Sequence, residues 1–170
     1  EMDRDIGQNW QENSYVKGKF LAEQLVFEAM EQGLPAKIFR IGRLVGRSTD
    51  GMFQKNPQQN TFYALMRGSM LLDYFPASQE QLPIELSAVD RCAEAIVSLM
   101  DAQRDVYHVI NPHTIPLGQL VKMFNRQIRL VEEDVFERHL SELIERGCAR
   151  QLAVLLDLWN RIKQCPTTIF

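Results

Sequence analysis

Apolar residues recur at helical spacing between Ser14 and Gln32, where Phe20, Leu21, Leu25, Val26 and Ala29 predict one amphipathic helix. Gly33 closes it and Pro35 blocks its continuation. Residues 36–41, "AKIFRI", form a short apolar run ending at Gly42 and predict a buried strand. Residues 42–59 hold three glycines, one proline and few apolar positions, which predicts one long loop of the kind that carries function. Helical periodicity resumes in "NTFYALMRGSML", with Asn60 as its N-cap. "PIEL" predicts a brief strand. "AVDRCAEAIVSLM" predicts a helix with Ala93, Ile96, Val97 and Met100 on its inner face. Residues 105–110 predict a further strand, and "TIPLGQLVKMF" a helix with Pro116 in its first turn and Leu117, Leu120, Val121 and Phe124 inward.

Helices alternating with short strands define an α/β fold. From residue 132 the pattern changes. Two amphipathic helices flank Gly147, the second carrying Leu152, Leu155, Leu156, Trp159 and Ile162. The expected division is therefore residues 1–130, including the loop 42–59, followed by a small helical lobe at 131–170.

Composition narrows the class. With 45% apolar and 24% charged residues, the 170-residue chain reads as a globular domain. Nineteen Lys and Arg against 22 Asp and Glu offer no basic footprint for nucleic acid or an anionic membrane. No secretory leader and no membrane-spanning apolar run is visible, so the expected location is cytoplasmic. Cys92, Cys148 and Cys165 are odd in number and form no CxxC pair, so packed, reduced thiols are expected and no metal site. His108, His113 and His139 stand in no nucleophile setting.

The candidate chemistry lies in "SYVKGKFLAE". Tyr15 and Lys19 are four residues apart and so share a helix face. Tyrosine is a weak acid–base group at neutral pH, with a reference pKa of about 10, and a neighbouring ammonium favours the phenolate. Such a pair can protonate a carbonyl oxygen as a hydride reaches its carbon. The spacing alone is common, and taken by itself a solvated face with a Lys19–Glu23 ion pair is the better explanation of it.

Five blocks in order add context: "DIGQNWQENSYVKGKFLAE", "AKIFRIGRLVGRSTDGMFQKN", "NTFYALMRG", "ELSAVDRCAEAIVSL" and "VYHVINPHTIPLGQLV". Together, over residues 5 to about 125, they resemble the thioester reductase domains of nonribosomal peptide synthetases and polyketide synthases. These belong to the extended short-chain dehydrogenase/reductases. The resemblance implies the C-terminal part of a Rossmann-type reductase with a mainly helical, substrate-side lobe. It implies Tyr15 as proton donor and Lys19 as its electrostatic helper and a donor to the ribose of NADPH. Backbone at Ile41, Gly42 and Leu44 would face the nicotinamide, and Phe53, Asn60 and Phe62 would border the substrate. The implied partner is a phosphopantetheinylated carrier protein bearing an acyl or peptidyl thioester, released as aldehyde or alcohol.

For several residues plainer roles stand beside these. Gly42 reads equally as a strand stop, Arg43 and Arg47 as solvated side chains, and Asp90 as an acid favoured at a helix N-terminus. Two features depart from the family pattern. Gly18 stands where the family has Ser before the lysine, at about 1 kcal/mol of local helix stability. No glycine-rich phosphate loop occurs, although that loop is what grips a dinucleotide's pyrophosphate. The family's catalytic Ser or Thr has no counterpart either, since Ser14 adjoins the tyrosine. The expectation is a piece of a larger reductase, inactive alone, whose bared sheet edges favour self-association. The alternatives are another extended reductase or epimerase acting on a small molecule or sugar nucleotide, and a non-catalytic remnant that docks a carrier domain.

Overall fold

The structure, a computed structural model, describes residues 14–56 and 60–147 together with Leu156 and Trp159. The Gly7-Gln8-Asn9 block and most of the expected last helix lie outside those residues.

Helix α1 spans Ser14–Glu31. It ends as its glycine predicts: Gly33 takes a φ of +94°, its N–H donates to the Met30 carbonyl, and the Leu34 N–H reaches back to Ala29. This double closure satisfies two orphan carbonyls and reverses the chain. Strand β1 (Ile38–Ile41) then returns along α1, and Arg40 Nε donates to Glu23 at 2.7 Å. Strand β2 (Leu44–Val45) follows almost at once, inside the stretch expected to be loop throughout. Helix α2 (Thr61–Leu72) leads into β3 (Tyr74–Pro76), β4 (Pro83–Glu85) and β5 (Ser87–Ala88). Helix α3 (Val89–Leu99), β6 (Val106–Val109), β7 (Thr114–Pro116), α4 (Leu117–Phe124), β8 (Arg129–Val131) and α5 (Glu133–Glu145) complete the described chain.

The strands form four pairs. β1 lies parallel to β6, with Ile38 opposite Val106 and Ile41 opposite Val109. β2 is parallel to β5 and β3 to β8, whereas β4 and β7 are antiparallel. The architecture is the α/β one expected, but with more and shorter strands than periodicity reveals.

Three helix faces differ from expectation. In α1 the buried side chain is Phe27, whereas Leu21 and Leu25 are exposed. In α3 the inward residues are Cys92, Ala95, Ile96 and Leu99, leaving Ala93, Val97 and Met100 in solvent. Both helices carry apolar residues around more than one face, so spacing alone leaves the choice of face open. In α4, Leu117, Leu120 and Val121 are buried as expected, but Phe124 is exposed. Helix α4 also starts later than predicted, because Thr114–Pro116 pairs with β4 as strand β7. Pro116 is its N-cap, and the first free N–H groups, of Leu117 and Gly118, donate to the carbonyls of Leu82 and Glu80.

The main core gathers Leu65, Met66 and Leu72 of α2, Phe75, Ile84, the α4 side chains, and Phe136 and Leu140 of α5 with Trp159. Helix α5 thus shares its core with the preceding elements. His139 packs edge-on against Tyr74 with centroids 4.5 Å apart.

Candidate active site

Tyr15 and Lys19 meet on the outer side of α1, the Lys19 ammonium 5.6 Å from the centre of the Tyr15 ring. Tyr15 is 72% exposed. Glu23, the acid that could have neutralised Lys19, instead accepts from Arg40 in a mostly buried ion pair. That pair also fixes the height of the helix on the strand. Helical rise puts Lys19 roughly 6 Å, and Tyr15 roughly 12 Å, nearer the start of α1 than Glu23. Because β1 runs the opposite way after the Gly33 reversal, both side chains lie toward its carboxyl end. Ligands of open α/β sheets bind at that edge.

Ile41 ends β1 with its side chain 42% exposed, and Gly42 N–H makes the last ladder bond, to Val109, at 3.0 Å. Beyond it the strands part. Arg43 N–H donates to Glu85 Oε2 at 2.6 Å, and Asn111 N–H, at the end of β6, donates to Glu85 Oε1 at 3.0 Å. Ser87 Oγ donates to the same carboxylate and its N–H returns to the Arg43 carbonyl at 2.8 Å. Gly42 is required by this closeness: a β-carbon there would lie 2.5 Å from Glu85 Oε2. A carboxylate tip can usually swing aside, but this one is held by donors on three segments.

Arg43 is not a solvated side chain. Its guanidinium covers the Phe62 ring at 4.9 Å, and burial pulls its pKa down to about 10 while the Glu85 charge pulls it back up. Phe62 meets Tyr63 edge-on at 6.1 Å, and Tyr63 stacks on Phe53 at 5.1 Å. Asn60 Oδ1 accepts from the N–H groups of Phe62 and Tyr63, which caps α2. Phe53, Asn60 and Phe62 therefore gather at the first turn of α2, and Arg43 joins them to the end of β1.

The loop between is pinned twice. Arg47 pairs with Asp50, whose carboxyl is held below its ordinary 3.8 by the Met52 N–H and then by that guanidinium. Ser48 donates its N–H at 2.9 Å and its hydroxyl at 2.7 Å to Asp90, which depresses the Asp90 carboxyl too. Asp90 stands in the first turn of α3, as expected, and also holds the loop. Its folded pKa lies below the unfolded one, so this hold is complete above about pH 3.8 and is lost as pH falls through the lower folded value. Asp90→Ala is expected to speed Ser48 amide exchange by about tenfold or more at neutral pH and to remove the acid dependence of its protection factor. Unchanged protection would dissociate the loop from α3.

Cys92 is buried beside Ser87, and burial pushes its thiol up, which suits a packed side chain better than a nucleophile. Among the described residues no three His, Cys, Asp or Glu side chains gather as they would around a metal ion. No helix there is long and apolar enough to cross a membrane.

Sequence reasoning missed Glu85, Ser87, Asn111 and Tyr63. Each acts through partners 20 or more residues away or through a stacked ring, and no local pattern marks such contacts.

A family profile described as "Male sterility protein", an NAD-binding family, matches residues 1–96. The chain belongs to that family. Among characterised proteins it is 27% identical over 112 residues to a linear gramicidin synthase subunit of Brevibacillus parabrevis, matching over 64% of this chain and 2% of that protein. It is 31% identical over 106 residues to glycine betaine reductase ATRR of Emericella nidulans, over 61% of this chain and 8% of that one. A thiolation-reductase di-domain of an archaeal non-ribosomal peptide synthetase superposes with a TM-score of 0.72 at 26% identity, covering 91% of this chain and 35% of the other. The reductase domain of the aureusimine biosynthetic cluster gives 0.73 at 27%, covering 94% and 46%. The chain thus spans under half of either solved reductase, and its fold is that of these peptide-synthetase reductase domains. The donor set at the strand edge fits the nicotinamide-ribose end of a dinucleotide: an ammonium, a phenol and the backbone beside the exposed Ile41.

Proposed function

We propose that this chain forms the substrate-side part of an NADPH-dependent thioester reductase, which releases an acyl or peptidyl group from a carrier protein's phosphopantetheine arm. The observation that carries the reading is the Tyr15–Lys19 pair, turned outward at the carboxyl end of β1 with its potential acidic neighbour taken by Arg40. When bound, the reduced nicotinamide supplies a hydride to the thioester carbonyl carbon. Tyr15 Oη donates a proton to the developing oxyanion, where a preorganised donor acts most strongly. The carbon–sulfur bond of the resulting thiohemiacetal then breaks, freeing the arm's thiol and an aldehyde. Lys19 holds the ribose and supports the tyrosine. The backbone of Ile41, Gly42 and Leu44 forms the wall beside the nicotinamide, and Phe53, Asn60 and Phe62 line the acyl path.

The test compares substrates in the complete reductase. Acyl-carrier protein with NADPH is expected to turn over at least about tenfold better than the same acyl group on a short free thiol, because the remote arm contributes binding energy used in the transition state. The 170 residues alone, lacking a glycine-rich loop, are expected to give no calorimetric signal with NADPH. Preference for a sugar nucleotide over every thioester would move the chain to another reductase class.

A further inference from the structure

In a parallel sheet the backbone N–H groups just past the last ladder bond lose their partners, and some other acceptor must take them. Here the ladder between β1 and β6 ends at Gly42 N–H with the Val109 carbonyl. Asn111 N–H, the next donor past Val109 on β6, and Arg43 N–H, which faces the β5 side of the other strand, go to the two oxygens of a single half-buried carboxylate, Glu85. Glu85 comes from β4, which belongs to neither strand's pair. Its position is locked by Ser87 Oγ, which donates to Glu85 and accepts from Asn111 N–H at 2.9 Å. Asn111 Nδ2 secures the β4–β5 corner through the Leu86 carbonyl at 3.0 Å.

We infer that Glu85 is a positioning residue: its carboxylate clamps the diverging ends of β1 and β6 and so sets the Ile41–Leu44 backbone for hydride transfer. The inference rests on the reductase reading above for its kinetic consequence, but the clamp itself stands on the hydrogen bonds. A carboxylate suits the task because both oxygens accept, each toward a different strand. An amide can satisfy only one of the two N–H groups and turns its own N–H toward the other. The reaction is sensitive to this, because a 1 Å displacement of reacting groups can cost about a hundredfold in rate.

The experiment uses the complete reductase carrying Glu85→Gln. Amide exchange at Arg43 and Asn111 is expected to rise about tenfold or more, with the amides of α4 unchanged. The turnover number for thioester reduction should fall by about tenfold or more, the KM for acyl-carrier protein should hold, and the primary isotope effect with 4-deuterated NADPH should rise. Gly42→Ala, which crowds the same carboxylate from the other side, provides a second variant if the glutamine form folds poorly, and should move the same three readouts. Unchanged exchange at both amides, or an activity loss with an unchanged isotope effect, would overturn the inference. Tyr15→Phe run in parallel separates the claims. Full activity in that variant would sink the reductase reading, while the exchange data would still decide whether Glu85 is the clamp.

Discussion

Tyr15→Phe is expected to reduce thioester turnover by about a hundred- to ten-thousandfold, the usual contribution of a placed proton donor. The substitution removes one oxygen from a side chain that is 72% exposed, so the fold should lose no more than about 0.5 kcal/mol. Cofactor affinity should also hold, because Lys19, the donor assigned to the ribose, is untouched. The diagnostic result is therefore a collapsed turnover number with unchanged melting temperature and NADPH dissociation constant. Steady-state kinetics beside a thermal melt would check it. Activity within about threefold of the parent would mean that the pair on α1 is only a solvated face.

Phe136→Ala should give the largest loss of stability among single substitutions here. The ring is 1% exposed, and it meets Trp159 at a centroid distance of 5.0 Å with the planes at 65°. Trp159 is itself tethered, its indole N–H donating to Glu137 at 2.8 Å. Removing a buried phenyl group sacrifices its transfer free energy and leaves a cavity, together about 3–5 kcal/mol. Since Phe136 shares one cluster with Leu65, Met66 and Leu117, the loss should appear in a single cooperative transition on urea unfolding. A loss below about 1 kcal/mol, or a separate early transition for the tail, would show that α5 is only loosely joined to the rest.

The sequence displays what depends on local order and hides what depends on distant partners. Helix α1, its Gly33 closure, the Asn60 cap and the strand before Gly42 are all legible, because each is written in neighbouring residues. Strands β2 and β7 are not, since two or three residues carry no periodicity; they exist because β5 and β4 lie alongside. Helix α3 is legible as a helix but not in its orientation, because Cys92–Ala95–Ile96–Leu99 and Ala93–Val97–Met100 are both plausible stripes. The Tyr15–Lys19 pair is legible as a spacing. What gives it direction is the Glu23–Arg40 contact, which ties the helix to a strand across 17 positions. Glu85 is the extreme case: in sequence it is one acid in a short strand, and only the fold brings Arg43 and Asn111 to its two oxygens.

The most direct test of the reductase assignment follows the hydride itself. The complete reductase is incubated with acyl-carrier protein and NADPH deuterated at the transferred position, and the released product is weighed by mass spectrometry. The expected product is an aldehyde carrying one deuterium on the former thioester carbon, or an alcohol carrying two there. From the Tyr15→Phe variant the same labelled product is expected to form at least about a hundredfold more slowly. An unlabelled free acid, or a thioester left intact while NADPH reduces some other small molecule, would contradict the assignment.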